Sequence, residues 1–164
     1  MSIPVGVIVE RRKAKSPWLD FVWRPLLVLP GAPSAAPWTP ISSEGEATTF
    51  YAGEALVELH RTETANYRDN IASRSPSLWV ILRPTGGEPA FALLSVTADP
   101  AEGEALTSAG NDLVEAVAMP TVIRETVEAF IAKHHVEQSH FKRQRDRADP
   151  PTLGRGRNGP ETET

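Results

Sequence analysis

Only one stretch of this 164-residue chain carries a long helical period, and it comes after a series of short β-type runs. From Pro120, where a first helical turn tolerates proline, Ile123, Val127, Phe130 and Ile131 recur at i, i+4, i+7 and i+8. They form one apolar stripe, and Arg124, Glu125, Glu128 and Lys133 face away from it. A single amphipathic helix behind many strands restricts the fold to a sheet-rich α+β class.

The strand runs are distinct. "IPVGVIVE" places Ile3, Val5, Val7 and Val9 at alternate positions, the period of a strand with one buried face. "FVWRPLLVLP" is apolar on both faces and predicts a central strand ended by Pro30-Gly31; Pro25 inside it signals an edge position or a bulge. "TTFYAGEALVELHR" predicts a hairpin turning around Ala52-Gly53-Glu54. "SLWVILRP" and "AFALLSVTA" flank the turn signal Gly86-Gly87, and "DLVEAVAMP" reads as a last strand. Between them, "GAPSAAPWTPISSEGEA" predicts a long surface loop, and "TETANYRDNIASRSP" an irregular connection or at most a short helical turn. Asp99-Pro100 opens one or two helical turns closed by Gly110.

The expectation is one α+β domain over residues 1–138. It has six or seven mostly antiparallel strands in a curved sheet or sandwich, with the C-terminal helix on its open end. A pleckstrin-homology-like sandwich has this order of elements. Residues 139–164, rich in Pro, Gly, Arg and Thr, predict a disordered basic tail.

Composition narrows the chemistry. The chain has no cysteine, which excludes disulfides, cysteine-ligated zinc, iron–sulfur clusters and a cysteine nucleophile, and fits a reducing compartment. No positive charge precedes the N-terminal apolar run, and that run is far shorter than the roughly twenty residues of a membrane span. Neither a secretory signal nor a span is expected, and the expected location is cytoplasmic. The net charge of −4 divides unevenly: residues 139–164 carry six Lys/Arg against four acids, leaving a net −6 on residues 1–138. Such a body repels phosphate backbones, so DNA is not an expected partner.

No catalytic constellation stands out. Gly86-Gly87 lacks the spacing and the Lys-Ser/Thr of a phosphate loop. His134 and His135 point to different faces of one helix, and neither they, His60 nor His140 falls into a zinc spacing. Glu44, Glu46, Glu54 and Glu58 read as surface carboxylates. The expectation is a chain that is not an enzyme and uses neither metal nor cofactor.

Contact residues are easier to nominate. Trp18, after Ser-Pro in a turn, and Trp38, in the proline-rich loop, are expected to be partly exposed, whereas Trp23 anchors a sheet face. Arg24 comes directly behind Trp23, and tryptophan and arginine concentrate binding energy in interfaces. In "HFKRQRDR", Phe141 lies among Lys142, Arg143, Arg145 and Arg147. That segment is either a docking element for an acidic protein face, an anionic lipid surface or RNA, or the solvated end of a helix leading into the tail. As an alternative, Tyr67, Arg68 and Asn70 would grip an anionic group of a small ligand or cofactor.

The blocks "VGVIVERR", "PWLDFVWRPLLVLPG", "VELHRTETANYRDN", "PSLWVILRP", "GNDLVEAVAMP" and "FKRQRDR" together resemble an uncharacterised proteobacterial family, a domain of unknown function. The resemblance covers about residues 3–148, and its most specific parts are Trp23–Pro25, Tyr67-Arg68 with Asn70, and Val117–Pro120. The family carries an aromatic element where this chain has "ADPAEGEA", so no role of that aromatic carries over. The resemblance implies a gene setting beside formate dehydrogenase and, for some members, a label from molybdopterin-guanine dinucleotide synthesis. The residues do not fit that label: a nucleotidyltransferase needs a glycine-rich N-terminal loop, and "VGVIVERR" offers only Gly6. A sulfur-relay chaperone would need a cysteine. The resemblance thus implies an accessory or adaptor role, as an assembly or maturation factor that binds a molybdoenzyme subunit.

Overall fold

The computed structural model describes residues 1–135. Seven strands form two antiparallel sheets: β1 (Ser2–Lys13), β2 (Phe21–Pro30), β3 (Thr39–Glu44) and β4 (Ala47–Glu58) in the order β2-β1-β4-β3, and β5 (Ser77–Pro84), β6 (Phe91–Thr97) and β7 (Leu113–Ala118) in the order β6-β5-β7. Three helices join them: α1 (Thr64–Ala72), preceded by a 3-10 turn at Arg61–Glu63, then α2 (Pro100–Ser108) and α3 (Thr121–His134). This is the expected sheet-rich α+β fold. No helix among the described residues is long and apolar enough to cross a membrane.

The sheets face each other across a core of alternate side chains. Val5, Val7 and Val9 of β1, Val28 of β2 and Val57 of β4 meet Leu78, Val80 and Leu82 of β5, Val96 of β6 and Val117 of β7. The stripe of α3 closes one end of this layer with Ile123, Val127 and Phe130 buried. β4 runs beside β6 and β2 beside β7, so the sandwich is nearly closed at its sides.

Four expectations are corrected. β1 is buried on both faces between Val5 and Val9, because the proline-rich segment after β2 folds back over the outer face. Gly6 leaves room for that cover: a β-carbon there would come within 2.9 Å of both the Pro33 Cδ and the Tyr51 ring. β2 is an edge strand rather than a central one, and its register against β1 shifts between Ile8/Leu27 and Val9/Pro25, leaving Leu26 as the bulge that Pro25 signalled. Ala52-Gly53-Glu54 does not turn; β4 runs straight through it, and Gly53, at φ 132°, sits where its register against β1 shifts. The hairpin turn lies instead at Gly45, φ 59°, between β3 and β4, inside what reads as loop.

The connection after β4 is the fourth. α1 is a true helix, with Thr64, Tyr67 and Asn70 facing inward at a spacing of three. Polar bonds rather than an apolar stripe hold it. Asn70 Nδ2 donates to the Ser77 carbonyl (2.8 Å) and the Ala98 carbonyl (2.9 Å), while its Oδ1 accepts from the Ser77 amide (3.0 Å). Asn66 reaches the carboxylate of Asp99, which also caps α2 by accepting from the Ala101 amide.

Candidate functional site: an aromatic and basic hairpin end

The β1–β2 hairpin runs to the same end of the larger sheet as the β3–β4 turn, with Arg12 opposite Ala47 and the Lys13 amide bonding the Glu46 carbonyl. Its last rungs pair Arg11 with Trp23, Arg12 with Val22 and Lys13 with Phe21, and the Ala14 amide bonds the Asp20 carbonyl to close the tip. Strand alternation sorts these residues onto two faces. Arg11, Phe21 and Trp23 lie on the side continuous with Val9 and the core; Glu10, Arg12, Val22 and Arg24 lie on the other.

On the inner side, aromatic rings plug the end of the sandwich. Trp23 packs against Trp38, Phe50 and Phe91, each with ring centroids 5.8 Å away. The Arg11 guanidinium lies 4.4 Å from the centre of the Phe21 ring and 5.1 Å from that of Phe50, a cation held over aromatic faces. Trp38 is half-buried in this cluster, and its backbone is left-handed (φ 64°), held by its amide bonding the Tyr51 carbonyl. On the outer side Glu10 pairs with both Arg12 (3.4 Å) and Arg24 (3.8 Å), so Arg24 is exposed but already has a partner.

The tip itself is apolar and open. Trp18 is 90% exposed and Leu19 60% exposed, next to the exposed Phe21 and Val22, with Lys13 at the end of β1 and Lys15 in the connection itself. The Trp18 amide is held by Ser16 Oγ at 3.2 Å, so the indole is presented from an ordered turn. Of the nominated contact residues, Trp18, Trp38 and Arg24 therefore gather at one end of the molecule. Phe141, Lys142, Arg143, Arg145 and Arg147 lie outside the described residues.

The alternative ligand residues do not form a grip. Tyr67 and Asn70 are buried, with Tyr67 Oη accepting from the His60 amide at 3.0 Å and Asn70 engaged with Ser77 and Ala98. Burial pushes the Tyr67 hydroxyl above the ordinary tyrosine range. Arg68 is exposed and donates to His135 Nε2 at 3.2 Å, which leaves His135 Nδ1 as the donor to Thr64 Oγ1 at 3.0 Å. These residues tie α1 to its surroundings. Among the described residues, no group of three or more His, Asp or Glu side chains is placed to hold a metal ion.

Sequence reasoning missed Leu19, Phe21 and Val22 as companions of Trp18. A β-type run entering directly from a Ser-Pro turn was the available signal, since such a run leaves its first residues beyond the core. The family model described as "Protein of unknown function (DUF3305)" matches residues 4–145. No curated protein and no solved structure matches the chain.

Proposed function

The chain belongs to the DUF3305 family, and from that premise we propose that it acts by binding another protein rather than by catalysis, with the β1–β2 hairpin tip as its contact face. The carrying observation is the exposure of Trp18 and Leu19 on an ordered turn: a large apolar surface left open there costs solvation unless a partner covers it. Lys13, Lys15 and Arg12 beside it suit a partner pocket with an apolar floor and an acidic rim. The finer reading is an accessory or maturation factor for a formate dehydrogenase-type molybdoenzyme. It rests on the family resemblance carried by the sequence blocks, and in it the basic segment 142–147 supplies a second contact.

Affinity purification of the tagged full chain from its own cells tests this, run beside a Trp18→Ala/Leu19→Ser double variant. A dehydrogenase subunit should accompany the parent chain and fall to background with the variant, while the variant's thermal unfolding stays unchanged. Recovery of no subunit, or equal recovery by both chains, overturns the reading.

A further inference from the structure

A concave pocket of about 620 Å³ opens between the 3-10 turn and the last turns of α3. Its floor is apolar, made by Leu59, Ala129 and Phe130. Its walls are cationic: Arg61 and Thr62 come from the 3-10 turn, and Lys133 and His134 from α3. His60 stands at the rim, 3.7 Å from Glu58. Among the described residues no carboxylate lines the pocket, although those residues are acidic overall.

The last turn of α3 is a favourable place for Lys133 and His134, because cations offset the partial negative charge of a helix C-terminus. That preference does not account for Arg61, which comes from the other wall. Neither Arg61 nor Lys133 makes an ion pair among the described residues. Their combined effect reaches His134, whose pKa is lowered by desolvation first and then by Arg61, Lys133 and the chain's amino terminus. The Phe130 ring packs against the same imidazole, tilted at 52° with centroids 4.6 Å apart. The result is a positive, partly desolvated concavity with donors on two walls and an apolar base.

We propose that this pocket binds a small organic phosphate, with Arg61 and Lys133 holding the phosphoryl oxygens from opposite walls and the apolar body of the ligand lying on Phe130 and Leu59. A tetrahedral, doubly charged group takes donors from several directions, whereas a planar carboxylate is satisfied by one fork. The volume exceeds what inorganic phosphate alone would fill and falls in the range of small-molecule sites. His134, on the same helix as Lys133, lines the pocket beside these two cations and offers a ring N–H as a third donor.

Isothermal titration of the full chain with phenyl phosphate tests the assignment, with phenylacetate and inorganic phosphate as comparison probes. Phenyl phosphate should bind saturably and at least about tenfold more tightly than either comparison probe, a difference of about 1.4 kcal/mol. Arg61→Gln and Lys133→Gln, both at exposed positions, should each weaken it by about tenfold, whereas Arg83→Gln, which breaks only the ion pair with Asp112 outside this pocket, should leave it unchanged. The His134 ring resonances should shift on titration in the parent chain. Absence of saturable binding, equal affinity for phenylacetate or inorganic phosphate, or binding indifferent to Arg61→Gln and Lys133→Gln overturns the proposal.

Discussion

The indoles of Trp23 and Trp38 meet edge to face, their planes at 86°, although Trp38 reaches that position only through a left-handed backbone. For a residue with a β-carbon that conformation costs on the order of 1 kcal/mol. The ring contacts with Trp23 and Phe50 outweigh it.

The strained backbone inverts the usual ranking of two substitutions. Trp38→Ala should lower stability by about 2 kcal/mol, below the range for a fully buried tryptophan because the ring is half-buried. Trp38→Gly should lose the same ring but relieve the backbone, and so be more stable than the alanine variant by about 1 kcal/mol. Urea midpoints of the two variants decide it; alanine ranking above glycine would show that the backbone carries no strain.

α2 lies directly on the Trp79 indole, and Gly103 makes that possible, since a β-carbon at 103 would come within 2.5 Å of Trp79 Cγ. Glycine to alanine inside a helix ordinarily gains about 1 kcal/mol. Here Gly103→Ala should instead cost about 2 kcal/mol through overpacking. Trp79→Leu in the same chain should recover part of the loss. A thermal melt of the single and double variants measures both.

Asn70 and Tyr67 separate structural from ligand-holding roles. Asn70→Ala strands two carbonyls and one amide, and should cost about 3 kcal/mol. Tyr67→Phe keeps the packing and loses one bond to the His60 amide, so about 1 kcal/mol is expected. Denaturant unfolding reads both changes directly. Phenyl phosphate affinity of the folded Tyr67→Phe chain should match that of the parent.

His134 gives stability a defined pH dependence. Its folded pKa lies below the ordinary imidazole value, with desolvation, Arg61, Lys133 and the amino terminus as causes. As pH falls, the unfolded chain therefore takes up its proton first, at about pH 6.5. The contribution to stability is fully present above that pH and is lost as pH falls through the folded pKa. Ring-proton titration by NMR should place the His134 midpoint below that of a free histidine, and Lys133→Gln should move it upward. His134→Asn should flatten the fall in melting temperature over the same interval.

Periodicity made part of this fold legible. α3 buries Ile123, Val127 and Phe130 at helical spacing, and β1 and β5 bury apolar runs, which is what a sequence displays openly. β3 shows none, because all six of its residues are exposed and mostly polar. α1 was illegible for a related reason: its inward residues are Thr64, Tyr67 and Asn70, a polar set whose meaning depends on Ser77 and Ala98 elsewhere in the chain. Gly53 carried a true signal of irregular backbone, a bulge rather than a turn. Trp18 was visible from its turn alone, whereas the Arg61–Lys133 pocket joins residues that nothing local connects.

β3 has one more consequence, for how the molecule avoids its own copies. A sheet ending in a long apolar strand offers a template for fibre growth. Here that border is six residues long, contains Pro40, and carries Ser42, Ser43 and Glu44. The opposite border, β2, is interrupted by Pro25 and a bulge. Growth by adding strands is thus discouraged at both margins of the larger sheet.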